Sequence, residues 1–195
     1  MASNPVSRLT EEQYLSMERA AEFCSEFLNG QMFARSGGSM NHAGLQTNIL
    51  VEISIALRGG GCEAFSSDFR VKVSSGMYTY PDVSVVCGKP LVAGEHEDNL
   101  LNPAVVFEVL SPSTEKYDRG LKFQHYRTIA SLQDFILVDQ SQIRIEQYTR
   151  QPDNSWMLRD YQRPEEELRI DSIGVSIPLQ QIYDRIDLSP VLPLN

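Results

Sequence analysis

Two short valine-rich runs, each carrying a single acidic residue, constrain this chain more than any other feature. The first run spans 80–86 and contains Asp82, and the second spans 102–110 and contains Glu108. Short β-branched runs bounded by proline and glycine predict strands. A carboxylate inside a buried strand is costly unless it is paired or bound to a cation. The two acids therefore suggest a binding site rather than ordinary packing positions.

Strand alternation predicts where these two acids point. Asp82 shares one face of its strand with Val86, and Glu108 shares a face with Leu110. If the strands are neighbours, the two carboxylates can meet at one cation. Hard oxygen ligands suit Mg²⁺ or Mn²⁺ rather than Zn²⁺. Magnesium fills its remaining positions with water and phosphate oxygens, so the pattern favours phosphodiester hydrolysis.

The polar segment after the second strand adds a candidate catalytic cation, Lys122. A lysine beside the metal would neutralise transition-state charge or orient the attacking water. Asp118, His125 and Tyr126 lie three or four residues away on the predicted helix and could orient Lys122. The main-chain carbonyl of Val109 is a further candidate metal ligand, because its side chain should point away from the site. We also expect Ser111 and Ser113 to hold the turn or contact phosphate, and the turn is the favoured interpretation.

Simpler interpretations of these residues stay open at this point. Asp82 follows a proline and could bond only to nearby backbone amides. Glu108 could be a salt-bridge partner of Lys122, and Lys122 could pair with Asp118 on a solvated helix face. His42 is expected to be a local cap or polar contact rather than part of the site. No second histidine stands at zinc-ligand spacing.

Length and composition predict one soluble domain. The chain has 195 residues, enough for one sizeable core but cramped for two. We expect an N-terminal extension at about 9–35, a core at about 41–161 and a tail at 162–195. The net charge of −9 disfavours a general nucleic-acid coat protein. It does not exclude an enzyme with a local basic groove, or one whose metal supplies the positive charge.

The cysteines and the N-terminus favour a cytoplasmic location. Cys24, Cys62 and Cys87 are scattered and odd in number, so they are interpreted as core residues rather than a disulfide framework. Residues 1–10 contain no apolar signal segment, and no run is long enough to cross a membrane.

The order of predicted elements indicates an α/β (α+β) fold with one central mixed sheet flanked by helices, and an N-terminal helix and hairpin outside it. Thr10 and Gln13 have capping-box spacing, and Asn29-Gly30 is typical of a type I′ turn. A strand–helix–strand crossover runs from Val105 through the Lys122 helix to Ile136. The predicted helices span 11–24, 41–58 and 179–186, and a further helix begins between 114 and 119 and ends near 130. The predicted extended segments are 62–73, 80–87, 104–110, 134–138, 143–149 and 156–161, together with a hairpin at 26–32. A flexible loop is expected at 36–39 and a solvated loop at 89–102.

At these residues the chain resembles the Uma2 (DUF820) family of the PD-(D/E)XK nuclease superfamily. The resemblance covers most of the chain and is carried mainly by four segments and one spaced run: 67–73, 80–86, 108–114, 117–126, and Glu26, Asn29-Gly30, Gly38 and His42. It implies a restriction-endonuclease-like core and a metal-dependent endonuclease that acts on nucleic acid, with DNA favoured. Asp82 and Glu108 take the places of the motif's two acids. Leu110 stands where the motif lysine is expected, and Lys122 on the following helix is the implied substitute, because a long lysine stem can reach the same point.

The accessory residues, the assembly and the alternative function stay open. Glu26, His42, Asn48 and Glu52 are candidate accessory residues on polar chemistry alone. A homodimer that contacts through the hairpin at Asn29-Gly30 would present two active sites to a duplex. The alternative function is a catalytically inactive nuclease-fold protein that binds nucleic acid or another protein.

Overall fold

The computed structural model describes residues 8–35 and 37–189. Residues 1–7, where no signal segment was expected, and Ser36 of the predicted flexible loop lie outside the described residues. The helices are α1 (Glu11–Ala20), α2 (Met40–Ala56), α3 (Glu115–Tyr117, a π-helical turn Asp118–Lys122, and Phe123–Tyr126), α4 (Leu179–Ile182) and a 3-10 turn at Asp171–Ile173. The strands are β1 (Ser25–Leu28), β2 (Gln31–Ala34), β3 (Cys62–Ser66), β4 (Arg70–Lys72), β5 (Tyr78–Thr79), β6 (Val83–Cys87), β7 (Val92–Ala93), β8 (Asn99–Leu100), β9 (Val105–Leu110), β10 (Asp134–Asp139), β11 (Ile145–Arg150), β12 (Trp156–Tyr161), β13 (Glu167–Ile170) and β14 (Val175–Pro178).

The central sheet brings the two acid-bearing runs side by side. Its order is β12-β11-β10-β9-β6-β3, with β9 and β10 parallel and the other pairs antiparallel. The parallel pair is joined by α3, so the predicted crossover is confirmed. In the antiparallel pair, Val83 lies opposite Phe107. Continuing that register by one residue aligns Asp82 with Glu108.

The two faces of the central sheet bury different sets of side chains. Leu45, Ile49 and Ile53 of α2 pack on the face that carries Val83 and Phe107. The opposite face packs against α3 and against a second sheet, which contains β1, β2, β4, β5, β7 and β8. The apolar side chains buried there include Val86, Val106, Leu110, Tyr126 and Phe135. Val109 belongs to the α2 face, so its side chain points away from Glu108, as alternation predicted.

A second six-stranded sheet corrects the expectation of a single mixed sheet. Its order is β2-β1-β5-β4-β8-β7. The predicted extended segment 62–73 is split between the two sheets, because a turn after β3 redirects the chain: the Phe69 amide donates to the Ser66 carbonyl. The predicted solvated loop 89–102 contains two short strands. Its Asp98 pairs with Arg19 and with buried Arg70, so this acid is structural rather than freely solvated.

The interpretation of all three cysteines as core residues is also wrong. Cys62 and Cys87 lie opposite one another on β3 and β6, with their Cα atoms 4.0 Å apart, and form a disulfide; Cys24 is free. Strand pairing brings together two residues that stand 25 positions apart in sequence. Their spacing alone gave no sign of this contact.

Toward the N-terminus, the predicted helix and the predicted turn are both present, although the helix is shorter than expected. The Thr10–Gln13 capping box is present, but α1 ends at Ala20 rather than near Cys24. Asn29 and Gly30 both adopt positive φ angles of 51° and 81°, as a type I′ turn requires. Toward the C-terminus, the β13–β14 hairpin was not predicted, and its apolar side chains join the α2 core. Within the described residues, no helix has the length and apolar character needed to cross a membrane.

Candidate active site

Asp82 and Glu108 lie in the wall of one cavity of about 590 Å³ between the two sheets and α3. Only 3% of Asp82 and 4% of Glu108 is exposed. Asp82 immediately precedes β6, and Glu108 lies within β9, so their positions follow from the sheet register. Two buried acids at one cavity are costly unless cations or hydrogen bonds compensate them.

One backbone amide and two basic side chains surround the Asp82 carboxylate. Its Oδ2 accepts a 2.7 Å hydrogen bond from the Val109 amide, and His42 Nε2 lies 3.4 Å from the same oxygen. The Arg35 guanidinium is 3.7 Å from Oδ1. Burial acts to raise the pKa of Asp82, but the bonds to His42 and Val109 outweigh it and hold the pKa below its usual range. Asp82 is therefore ionised at neutral pH.

His42 reaches the site from the first turn of α2. Ser39 caps this helix by accepting a hydrogen bond from the His42 amide. The bond to Asp82 raises the pKa of His42 above its usual value, although burial acts in the opposite direction. A Cβ at Gly38 would lie 2.8 Å from His42 Nδ1, so a glycine is needed there for the loop to pass the imidazole.

The Glu108 carboxylate is bound by a lysine and a tyrosine of α3. Lys122 Nζ lies 2.8 Å from Glu108 Oε1, and the Tyr126 hydroxyl donates to the same oxygen at 2.9 Å. Within the described residues, Glu108 Oε2 accepts no hydrogen bond. Burial raises the pKa of Glu108 well above its usual range, while Lys122 opposes the rise.

Glu26 and Asp118 complete the set of acids around Lys122. Its Nζ lies 3.1 Å from Glu26 Oε1 and 3.6 Å from Asp118 Oδ1. Glu26 comes from β1 and also accepts a hydrogen bond from Thr79. Burial acts to lower the pKa of Lys122, but Glu108 and Glu26 outweigh it, and the pKa lies well above its ordinary value. The ammonium is charged, and the surrounding carboxylates outnumber it.

A π-helical turn carries Lys122 into this position. The turn spans Asp118–Lys122 in the middle of α3, and both of its end residues are buried. Such wide turns occur mostly within α-helices and frequently at functional sites. The alternative interpretation, a solvated helix face at these two residues, is therefore wrong, because both side chains are buried and line the cavity.

The donor set fits a hard divalent cation. Glu108 Oε2 and Asp82 Oδ1 are carboxylate oxygens without hydrogen-bond donors among the described residues, and Val109 lines the same cavity. Within the described part of the chain, no three His, Cys, Asp or Glu side chains are grouped closely enough to bind a metal by themselves. Magnesium typically takes one or two carboxylates and completes its shell with water and phosphate. Two carboxylates in a site with excess negative charge meet that requirement.

The other predicted residues are divided between the cavity and its surroundings. Ser111 lines the cavity, but its hydroxyl is engaged by Ser113 and Thr114, as expected for a residue that holds the turn. Asn48 does not line the cavity and instead donates to the carbonyls of Ile182 and Asp184. Glu52 of α2 and His125 of α3 also lie outside the cavity lining.

Arg35 and Tyr117 are among the cavity residues that were not predicted from the sequence. Arg35 follows β2, and Tyr117 precedes the π-helical turn. The only sequence signal for Arg35 was a single basic residue between the hairpin and a glycine-rich loop. Tyr117 stood within the segment that carries the family resemblance but was not singled out.

Comparison with known proteins identifies the family. The model of the Uma2 family, described as "Putative restriction endonuclease", matches residues 11–180. The chain belongs to the Uma2 family. Two relatives are uncharacterized proteins from Synechocystis sp. The protein slr1290 is 37% identical to this chain, and the match covers 93% of this chain and 94% of slr1290. The protein sll1609 is 35% identical, and the match covers 78% of this chain and 86% of sll1609.

A solved structure supports the fold of this Uma2 protein. It is a putative nuclease belonging to DUF820 from Anabaena variabilis, with a TM-score of 0.75 over 90% of this chain and 97% of that chain. The sequence identity is 17%, so the likeness establishes the fold alone. The predicted α/β nuclease-like fold is confirmed by this match.

Proposed function

We propose that this Uma2 protein is a Mg²⁺- or Mn²⁺-dependent endonuclease that hydrolyses phosphodiester bonds, with DNA as the substrate. The observation that carries the proposal is the convergence of Asp82, Glu108 and the Lys122 ammonium at one cavity. Membership of a family described as a putative restriction endonuclease supports the reaction class.

Asp82, Glu108 and the Val109 carbonyl are the groups that would hold the metal. When bound, the ion would polarise the phosphoryl group and make water a stronger nucleophile at neutral pH. Asp82 is suited to this role because it is already ionised. Burial raises the pKa of Glu108, and a bound cation would favour its ionised form.

Lys122 acts as a fixed positive charge in this proposal. Its raised pKa keeps the amine protonated in the metal-free protein. It can donate hydrogen bonds to the phosphate or to the attacking water, and its charge offsets the negative charge that develops in the transition state. Glu26 and Asp118 also contact the ammonium and so orient it.

We also propose a homodimer with the N-terminal hairpin at its contact. Two sites related by a two-fold axis suit the cutting of both strands of a duplex. Strand β2 is an edge strand, and Phe33 on it is 48% exposed. Light scattering on the purified chain checks this assembly, and a monomer mass at micromolar concentration would contradict it.

The catalytic proposal is tested with wild type, Asp82→Ala, Glu108→Ala and Lys122→Ala. The substrates are plasmid DNA, single-stranded DNA and RNA, each with Mn²⁺ and with EDTA. We expect each change to lower the cleavage rate about 100-fold or more, the scale seen when one transition-state contact is removed. Glu63→Ala and Lys89→Ala are matched controls, because both side chains are exposed and outside the cavity.

Metal binding is measured separately from cleavage. Calorimetric titration with Mn²⁺ should show a site in wild type that is lost in Asp82→Ala. Cleavage that persists in Asp82→Ala, or that requires no metal, would contradict the proposed mechanism. A wild type that binds Mn²⁺ and nucleic acid without cutting any substrate would favour the non-catalytic binding module.

A further inference from the structure

Arg35 is held at the rim of the active-site cavity by the end of the N-terminal hairpin. Its backbone amide donates to the Cys24 carbonyl and extends the β1–β2 pairing by one residue. The guanidinium lies over the Tyr80 ring, 5.5 Å from its centroid. The backbone and the aromatic ring together fix the direction in which this side chain points.

Most of the hydrogen-bonding capacity of the Arg35 guanidinium is unused. A guanidinium carries five N–H donors in a planar fork. Among the described residues, its hydrogen bonding is limited to one 3.2 Å bond from NH1 to the Ser67 carbonyl. The 3.7 Å separation between NH2 and Asp82 Oδ1 is too long for a hydrogen bond. The side chain is 29% exposed, so an incoming ligand can reach it.

The cavity has cations at two separate places along its lining. Lys122 is enclosed by Glu108, Glu26 and Asp118 and is 6% exposed. Arg35 lies at the Asp82 end instead, close to His42, whose pKa its charge acts to lower. A polyanion that enters this acidic cavity needs positive charge outside the catalytic centre as well as within it.

We infer that Arg35 binds a backbone phosphate of the nucleic-acid substrate, adjacent to the phosphate that is cleaved. The planar fork matches two phosphate oxygens, which a lysine cannot match. This inference rests on the proposed function and adds a substrate contact to it. Arg35 takes no part in proton transfer or metal binding, so its loss should weaken binding more than it slows the chemical step.

The test compares wild type with Arg35→Ala, Arg35→Lys and Arg58→Ala. Arg58 is exposed at the end of α2 and away from the cavity, so its variant removes the same charge without touching the site. The probe is a short fluorescent DNA oligonucleotide, single-stranded or duplex, with Ca²⁺ in place of Mn²⁺ and with gel analysis to verify that the probe is intact. Dissociation constants are measured over a series of KCl concentrations, and thermal melts check that each variant is folded.

We expect Arg35→Ala to raise the Kd about tenfold and to reduce the slope of log Kd against log salt by about one. Arg35→Lys should restore the salt slope but only part of the affinity, since it keeps the charge and loses the fork. Arg58→Ala should stay within about twofold of wild type. In Mn²⁺, the KM of Arg35→Ala should rise more than its kcat falls.

Two outcomes overturn the inference and are distinguishable. If wild type binds the oligonucleotide and Arg35→Ala binds it equally well with the same salt slope, Arg35 only supports the Ser67 carbonyl, and the proposed function stands. If wild type binds neither probe, the proposed function fails and this inference fails with it.

Discussion

Lys122 Nζ and Glu108 Oε1 lie 2.8 Å apart in a site where both side chains are almost fully buried. The lysine comes from α3, although the resemblance places the motif lysine at position 110. Leu110 itself packs in the core beneath α3. The Lys122 ammonium thus contacts Glu108, whereas position 110 contributes an apolar side chain to the core.

Replacement of Lys122 by methionine should destabilise the metal-free protein. The change keeps the length of the side chain but leaves the carboxylates of Glu26, Glu108 and Asp118 without their shared cation. Loss of one partner from a buried ionic group costs about 3–5 kcal/mol of unfolding free energy. Urea denaturation measures the effect, with Lys116→Met on the exposed face of α3 as the control. A loss below about 1 kcal/mol would show that the acids are protonated or solvated instead.

Removal of the Tyr126 hydroxyl should weaken the same site without disturbing its packing. Tyr126→Phe keeps the ring against Phe135 and removes the hydrogen bond to Glu108 Oε1. A hydrogen bond to a charged group contributes about 1.5–3 kcal/mol. We expect a fall in unfolding free energy of that size and a lower cleavage rate, both measured on the same preparation. An unchanged rate would mean that Lys122 alone is sufficient to orient Glu108.

The strand face on which each of the two acids lies could be predicted because strand alternation is a local rule. Strand alternation gave the shared face of Asp82 and Val86, and the βαβ crossover gave the position of α3. The nearby turns and caps also followed from local chemistry, as Thr10–Gln13 and Asn29-Gly30 show.

Features that depend on long-range contacts could not be predicted from the same sequence. Segment 62–73 alternates like a single strand, yet the turn at Ser66–Phe69 sends its two halves into different sheets. The π-helical turn leaves no periodic signal, because one wide turn shifts the register of a short helix only locally. Arg35 reaches the cavity only because β2 pairs with β1, which its own sequence neighbourhood does not reveal.

Metal affinity should increase with pH through the titration of His42. The pKa of His42 is raised mainly by its bond to Asp82, so protonated His42 competes with a cation for that carboxylate. Mn²⁺ binding should therefore tighten as pH rises from below about 6.5 to above the folded-state pKa of His42. His42→Gln should flatten this dependence. Calorimetric titration of both proteins across this pH range provides the check, and identical profiles would contradict the His42 assignment.

The titration of His42 has the opposite effect on the free energy of unfolding of the metal-free protein, which should decrease as pH rises. A histidine whose pKa is higher in the folded than in the unfolded state stabilises the fold fully below about 6.5. That contribution is lost as pH rises through the folded-state pKa. The difference in unfolding free energy between wild type and His42→Gln should therefore be largest in mild acid and shrink toward alkaline pH.

Reduction of the Cys62–Cys87 disulfide should lower the stability of the central sheet. The bond links edge strand β3 to β6, whose first residue directly follows Asp82. It closes a loop with a sequence separation of 25, and a loop of that order restricts the unfolded chain by about 3 kcal/mol. The urea midpoint should fall by a corresponding amount in the presence of a reductant, and also in Cys62→Ser without one. Cys24→Ser, which leaves the bonded pair intact, should keep the full response to reductant. Equal midpoints for oxidised and reduced protein would show that strand pairing alone holds β3 in place.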